Sequence, residues 1–200
     1  MATRINERGG DHAGRDRVEL VRIAARGPPP QEVRLLLIGE SAPDANTAEP
    51  RFFYAPKLDR RDNLFRAVVE AMFDSSAGHA GDPKAMWHAR LKAAGVYLID
   101  LVPDPVDKRR PGERAQARRG HVNACVRHAE ELKPAGIIIC HAPSFDVLAG
   151  PLRRAALPLL HEERIPFPLG NHRERFVNAF RAARQRLPSA ADDVVDAADG

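Results

Sequence analysis

Three short runs of this chain are apolar at almost every position: VRLLLIG (33–39), VYLIDLV (96–102) and GIIIC (136–140). A strand with one wet face alternates apolar and polar residues. A run without alternation is covered on both faces, as in a parallel sheet between helices. That requirement constrains the fold more than any other feature of the sequence.

The segments between the runs supply the covering layers. RDNLFRAVVEAMF (61–73) spaces Leu64, Phe65, Val68, Val69, Met72 and Phe73 along one helical face, behind Asp62 as an N-cap. PKAMWHARLKAAG opens on Pro83 and stops at Gly95. HVNACVRHAEELKP (121–134), a weaker segment from about Ser144, and RERFVNAFRAARQRL (173–187) complete the set, and RIPFP (164–168) reads as a short fourth strand. The pattern predicts an α/β fold, a three-layer αβα sandwich with a central, mostly parallel four-stranded sheet and right-handed crossovers.

One domain over 33–187 accounts for the periodic part of the 200 residues. Residues 1–32, rich in Gly, Arg and Pro, read as a flexible leader with helical spacing only in VELVRIAAR (18–26). Residues 188–200 read as a disordered tail, acidic through Asp192, Asp193, Asp196 and Asp199. Two cysteines, Cys125 and Cys140, are too few for a four-cysteine zinc or iron–sulfur site. No run approaches the ~20 apolar residues that span a bilayer, and the polar start lacks a signal-peptide core. A cytoplasmic monomer with no cofactor and no metal is the expectation.

Ligands of open parallel sheets bind outside the carboxyl ends of the strands, which selects four loops. The first holds Glu40, Ser41, Asp44, Asn46 and then Arg51-Phe52-Phe53-Tyr54. It is neither the GxSxG nucleophile elbow nor a phosphate loop, since Gly39 stands alone. The second holds Asp100, Asp104 and the run to Arg119, with six basic and three acidic side chains. That run is either a solvated face or a phosphate-backbone contact. The third holds Cys140 and His141, whose side chains diverge at a strand end and form no dyad; His141 either lines the cleft or is a structural histidine. The fourth holds Phe167, Leu169, Asn171 and His172, with Asn171 as a candidate N-cap.

The order of these features resembles the uracil-DNA glycosylase superfamily, in particular its small mismatch-specific and bacterial branches. The likeness rests on Gly39-Glu40-Ser41-Ala42-Pro43, the aromatics at 52–54, Asp62-Asn63-Leu64-Phe65, GVYLIDLVPDPV (95–106), KPAGIII (133–139) and IPFPLGNHRERF (165–176). It covers about 33–187, by order and spacing more than identity. HAPS (141–144) follows the third strand and is read as a decoy for the family's last motif.

The resemblance implies an enzyme that extrudes a damaged base, uracil or another deaminated base, from DNA and hydrolyses its N-glycosidic bond without a metal. Glu40 is then the leading catalytic carboxylate and Asp44 the second. Phe52 or Phe53 stacks on the base, and Ser41, Asn63, His141, Asn171 and His172 contact the substrate. Lys108, Arg109, Arg110 and Arg114 contact DNA phosphates. Phe167 and Leu169 form an apolar wedge. Two alternatives stay open: a catalytically silent nucleic-acid- or nucleotide-binding protein of the same fold, and a hydrolase pairing Ser41 or Glu40 with His141.

Overall fold

A computed structural model describes residues 26–41, 52–75, 83–104, 106 and 110–189. The helical stretch at 18–25, Asp44, Lys108, Arg109 and the tail from 190 onward lie outside the described residues.

The three apolar runs form the sheet. Strand β1 (Leu35–Gly39) is central, with β2 (Val96–Asp100) on one side and β3 (Gly136–Ile139) on the other, both parallel to it. Leu35 pairs with Val96 and with Gly136, and the first ladder runs on to Gly39 opposite Asp100. Five helices that lie wholly within the described residues accompany it: α1 (Asn63–Phe73), α2 (Lys84–Ala93), α3 (Pro111–Leu132), α4 (Ala142–Arg154) and α5 (Arg173–Arg184), the last preceded by a 3-10 turn at Gly170–His172.

Successive strand residues serve opposite layers, as the two-residue side-chain period dictates. Leu35, Leu37, Leu98 and Ile138 pack with Phe65 and Val69 of α1, Trp87 of α2 and Phe176 and Phe180 of α5. Leu36, Ile38, Ile99, Ile137 and Ile139 pack with Cys125 and Ala129 of α3 and Leu148 and Leu152 of α4. Helices therefore cover both faces, which is why the strands read as unbroken apolar runs.

The expected fourth strand does not form: the sheet has three strands among the described residues. In its place Leu159 makes a single parallel bridge to Ile137, five residues before RIPFP begins. The Ile137 N–H reaches the Pro158 carbonyl at 2.8 Å, and the Leu160 N–H reaches the Ile137 carbonyl at 3.0 Å. A side chain then ends the ladder. The Ile139 N–H donates to Nε2 of buried His161 at 3.0 Å. Residues 164–168 run on as irregular chain, because Pro166 and Pro168 have no N–H to offer a ladder.

Helix α3 begins at Pro111, ten residues before its expected start at His121. Its first turns lack apolar spacing, so periodicity misses them. The missed signal is Pro111 at the first helical turn, where its absent N–H costs nothing. This difference moves half of the basic run from a loop onto a helix. Asp62 does precede α1, but its carboxylate makes no capping bond and turns to Lys84.

Candidate functional site

The chain runs from β1 to β2 on one side and then crosses to β3 on the other. The crossing leaves a switch point at the carboxyl end of β1, where open α/β sheets form their ligand crevice. A cavity of about 610 Å³ opens there, a volume typical of small-ligand pockets. Of the sequence-predicted residues, Glu40, Ser41, Phe52, Phe53, Asn63, His141, Arg114, Phe167 and Leu169 line it.

Glu40 follows β1 directly, and its backbone carbonyl accepts the Val102 N–H at 2.8 Å, holding the first two loops together. Its side chain is 11% exposed and fully engaged. Arg118 donates to Oε1 and Arg114 to Oε2, while Nε2 of His141 lies 3.6 Å from Oε2. Burial pushes the carboxyl up; Arg114, His141 and Arg118 outweigh that and hold it below its ordinary range. Glu40 is thus an ionised, doubly paired carboxylate. Arg114 and Arg118 stand one helical turn apart on α3, so one face of that helix delivers both guanidiniums.

His141, the residue before α4, joins two partners. Its Nδ1 is 2.9 Å from Oγ of Ser144, which is wholly buried, and its Nε2 faces Glu40. Burial lowers the imidazole pKa against the opposing pull of Glu40. No hydrogen bond joins Ser41 to a histidine among the described residues, so a Ser41–His nucleophile pair is not formed here.

The three aromatics divide their work. Tyr54 is an anchor: its hydroxyl accepts the Leu98 N–H at 2.7 Å and reaches the Leu98 carbonyl at 3.3 Å. Burial raises its phenol pKa. Phe53 packs edge-on against Tyr54 and Phe65 with centroids 5.1 and 5.3 Å away, and its carbonyl accepts from Nε2 of His88 at 2.9 Å. Phe52 makes no ring contact among the described residues and belongs to neither core cluster, yet it lines the cavity. Phe52 is half-buried and shares the cavity lining with Phe53 and Tyr54.

Asn63 opens α1 and is among the residues lining the cavity, so a side-chain amide with donor and acceptor groups stands at its wall. Phe167 and Leu169 stand at the rim, 38% and 61% exposed. Asn171 and His172 are exposed in the 3-10 turn outside the cavity lining, and Asn171 makes no capping bond. Arg110 is exposed and pairs with Glu113 at 2.9 Å.

The sequence reading placed Asp100 and Arg118 in the second loop without a role of their own, took Asp62 for an N-cap, and gave Lys84 no role. Asp100 ends β2, and a Cβ on Gly39 would lie 2.6 Å from its Oδ1, so any side chain at 39 would make the Asp100 carboxylate move. The strand-end rule that selected Glu40 also reaches Asp100. Burial keeps both cysteines protonated, Cys125 being pushed up to about 12. No three His, Cys, Asp or Glu side chains converge as a metal site among the described residues, and no helix among them is long and apolar enough to cross a membrane. In comparisons with known proteins, no family model matches the chain and no curated protein matches its sequence.

Proposed function

We propose that the cleft receives a nucleobase extruded from DNA and that the protein hydrolyses its N-glycosidic bond, as a divergent relative of the uracil-DNA glycosylases with their three-layer αβα fold. The observation that carries this reading is the placement of Phe52. An aromatic ring outside the core clusters lines the same cavity as a side-chain amide, Asn63, and an ionised, half-buried carboxylate, Glu40. Stacking on one ring supplies ~1–3 kcal/mol to any base, and the amide selects among bases through their edges. The carboxylate stabilises positive charge developing at the sugar carbon as the bond breaks and water enters. The reading invokes no metal and no cofactor, and it takes the protein as a cytoplasmic monomer.

One observation favours a second reading. Arg114 and Arg118 already neutralise Glu40, which weakens its field at a sugar and suits a protein that binds a base or nucleotide without cutting it. The two readings separate on labelled duplexes carrying uracil, hypoxanthine or xanthine, treated with alkali after incubation. Strand breaks at the modified base support the enzyme; intact strands with salt-sensitive binding support the silent binder.

A further inference from the structure

The geometry points to Lys84 as the positioning residue that sets the gap between the aromatic wall and the amide wall of this cleft, an inference that rests on the base-binding reading. Lys84 begins α2, away from the loops that the strand-end rule selects. Its side chain is 0% exposed. An ammonium has three donors and must place each when buried. Nζ donates to the Phe52 carbonyl at 3.2 Å and to Oδ2 of Asp62 at 3.0 Å, and it lies 4.7 Å from the centroid of the Phe65 ring.

Those partners belong to the two walls. The Phe52 carbonyl fixes the backbone from which the stacking ring hangs. Asp62 precedes Asn63, and its Oδ2 also accepts the Asp59 N–H at 3.0 Å, so the entry to α1 is pinned through the same carboxylate. One buried cation thus ties a loop after β1 to the start of α1. A hydrophobic replacement of similar length would fill the space and free both walls to move. The charge is held for geometry, because a buried pair is at best a weak source of stability.

The test uses the full chain and a labelled duplex carrying uracil, measured by fluorescence anisotropy. Lys84→Met alone strands Asp62 and can unfold the protein, so the variant is Lys84→Met with Asp62→Asn, which removes both charges and keeps an acceptor for Asp59. Its folding is checked by thermal melting, and the wild-type chain and this variant are each built with and without Phe52→Ala. Affinity is expected to fall about tenfold with Phe52 present and not to fall further once Phe52 is gone. A loss of equal size in both backgrounds marks a general structural effect and overturns the inference. So does unchanged affinity in the folded double variant. If the wild-type chain shows no preference for the modified duplex, the base-binding reading fails and this inference falls with it.

Discussion

Nε2 of His141 lies 3.6 Å from Oε2 of Glu40, the two residues sitting just beyond neighbouring parallel strands, β3 and β1. Since β1 and β3 flank the point where the chain reverses its direction of sheet building, their first loop residues meet over the crevice. The pair forms one side of a charged cluster that α3 closes with Arg114 and Arg118.

Glu40→Gln should cost more stability than either arginine change. It leaves two guanidiniums beside a neutral amide, and because the cluster is half-buried the cost stays below the ~3 kcal/mol of breaking a fully buried pair. Arg118→Ala leaves Arg114 on the carboxylate and should cost less. Urea unfolding of the three proteins measures the order. A Glu40→Gln protein as stable as the wild type would show that the cluster contributes no net stability.

Phe52→Ala and Phe53→Ala should separate. Phe53 is wedged between Tyr54 and Phe65, so its truncation should lower stability by about 2–3 kcal/mol. Phe52 has no such packing, so its truncation should leave the melting temperature within a few degrees and reduce affinity for a modified duplex. The reverse pattern would exchange the two roles.

Acid should weaken the fold below neutral pH. Burial lowers the pKa of His88, His141 and His161 from the ordinary 6.5. The unfolded chain then binds protons that the folded chain refuses, so stability is full above pH 6.5 and is lost as pH falls from there through the lowered folded values. His161 is the clearest case. Its Nε2 accepts from the Ile139 N–H while Nδ1 donates to the Glu163 carbonyl at 2.7 Å, an arrangement open only to the neutral ring. His161→Ala should cost ~1–3 kcal/mol, by orphaning that N–H, and should flatten the pH dependence. Denaturant midpoints between pH 5 and 8 test both.

The sheet core was legible because burial on both faces imposes unbroken apolar runs, and β1, β2 and β3 carry them. The strand-end rule then found Glu40, His141 and the aromatic loop without knowledge of any contact. Three things escaped. RIPFP has strand composition, but its prolines remove ladder donors, and the edge beside Ile139 goes to a histidine ring. The amino-terminal half of α3 turns only Ala115 and Ala117 away from full exposure among its apolar residues, so it lacks the broad stripe by which helices are read. Lys84 was invisible because a lysine one turn from a tryptophan reads as surface, and only the fold brings Phe52 and Asp62 onto its ammonium. Long-range ion pairs, such as Glu40 with residues more than seventy positions away, leave no local pattern.

The central claim is that Phe52 presents its face to an extruded base. Rates of alkali-labile strand breakage on uracil, hypoxanthine and xanthine duplexes, compared between the wild-type chain and Phe52→Ala, test it most directly. The expected result is breakage of at least one duplex by the wild type, with about a tenfold or greater loss in the folded variant. No breakage of any duplex, or equal rates in the two proteins, would contradict it.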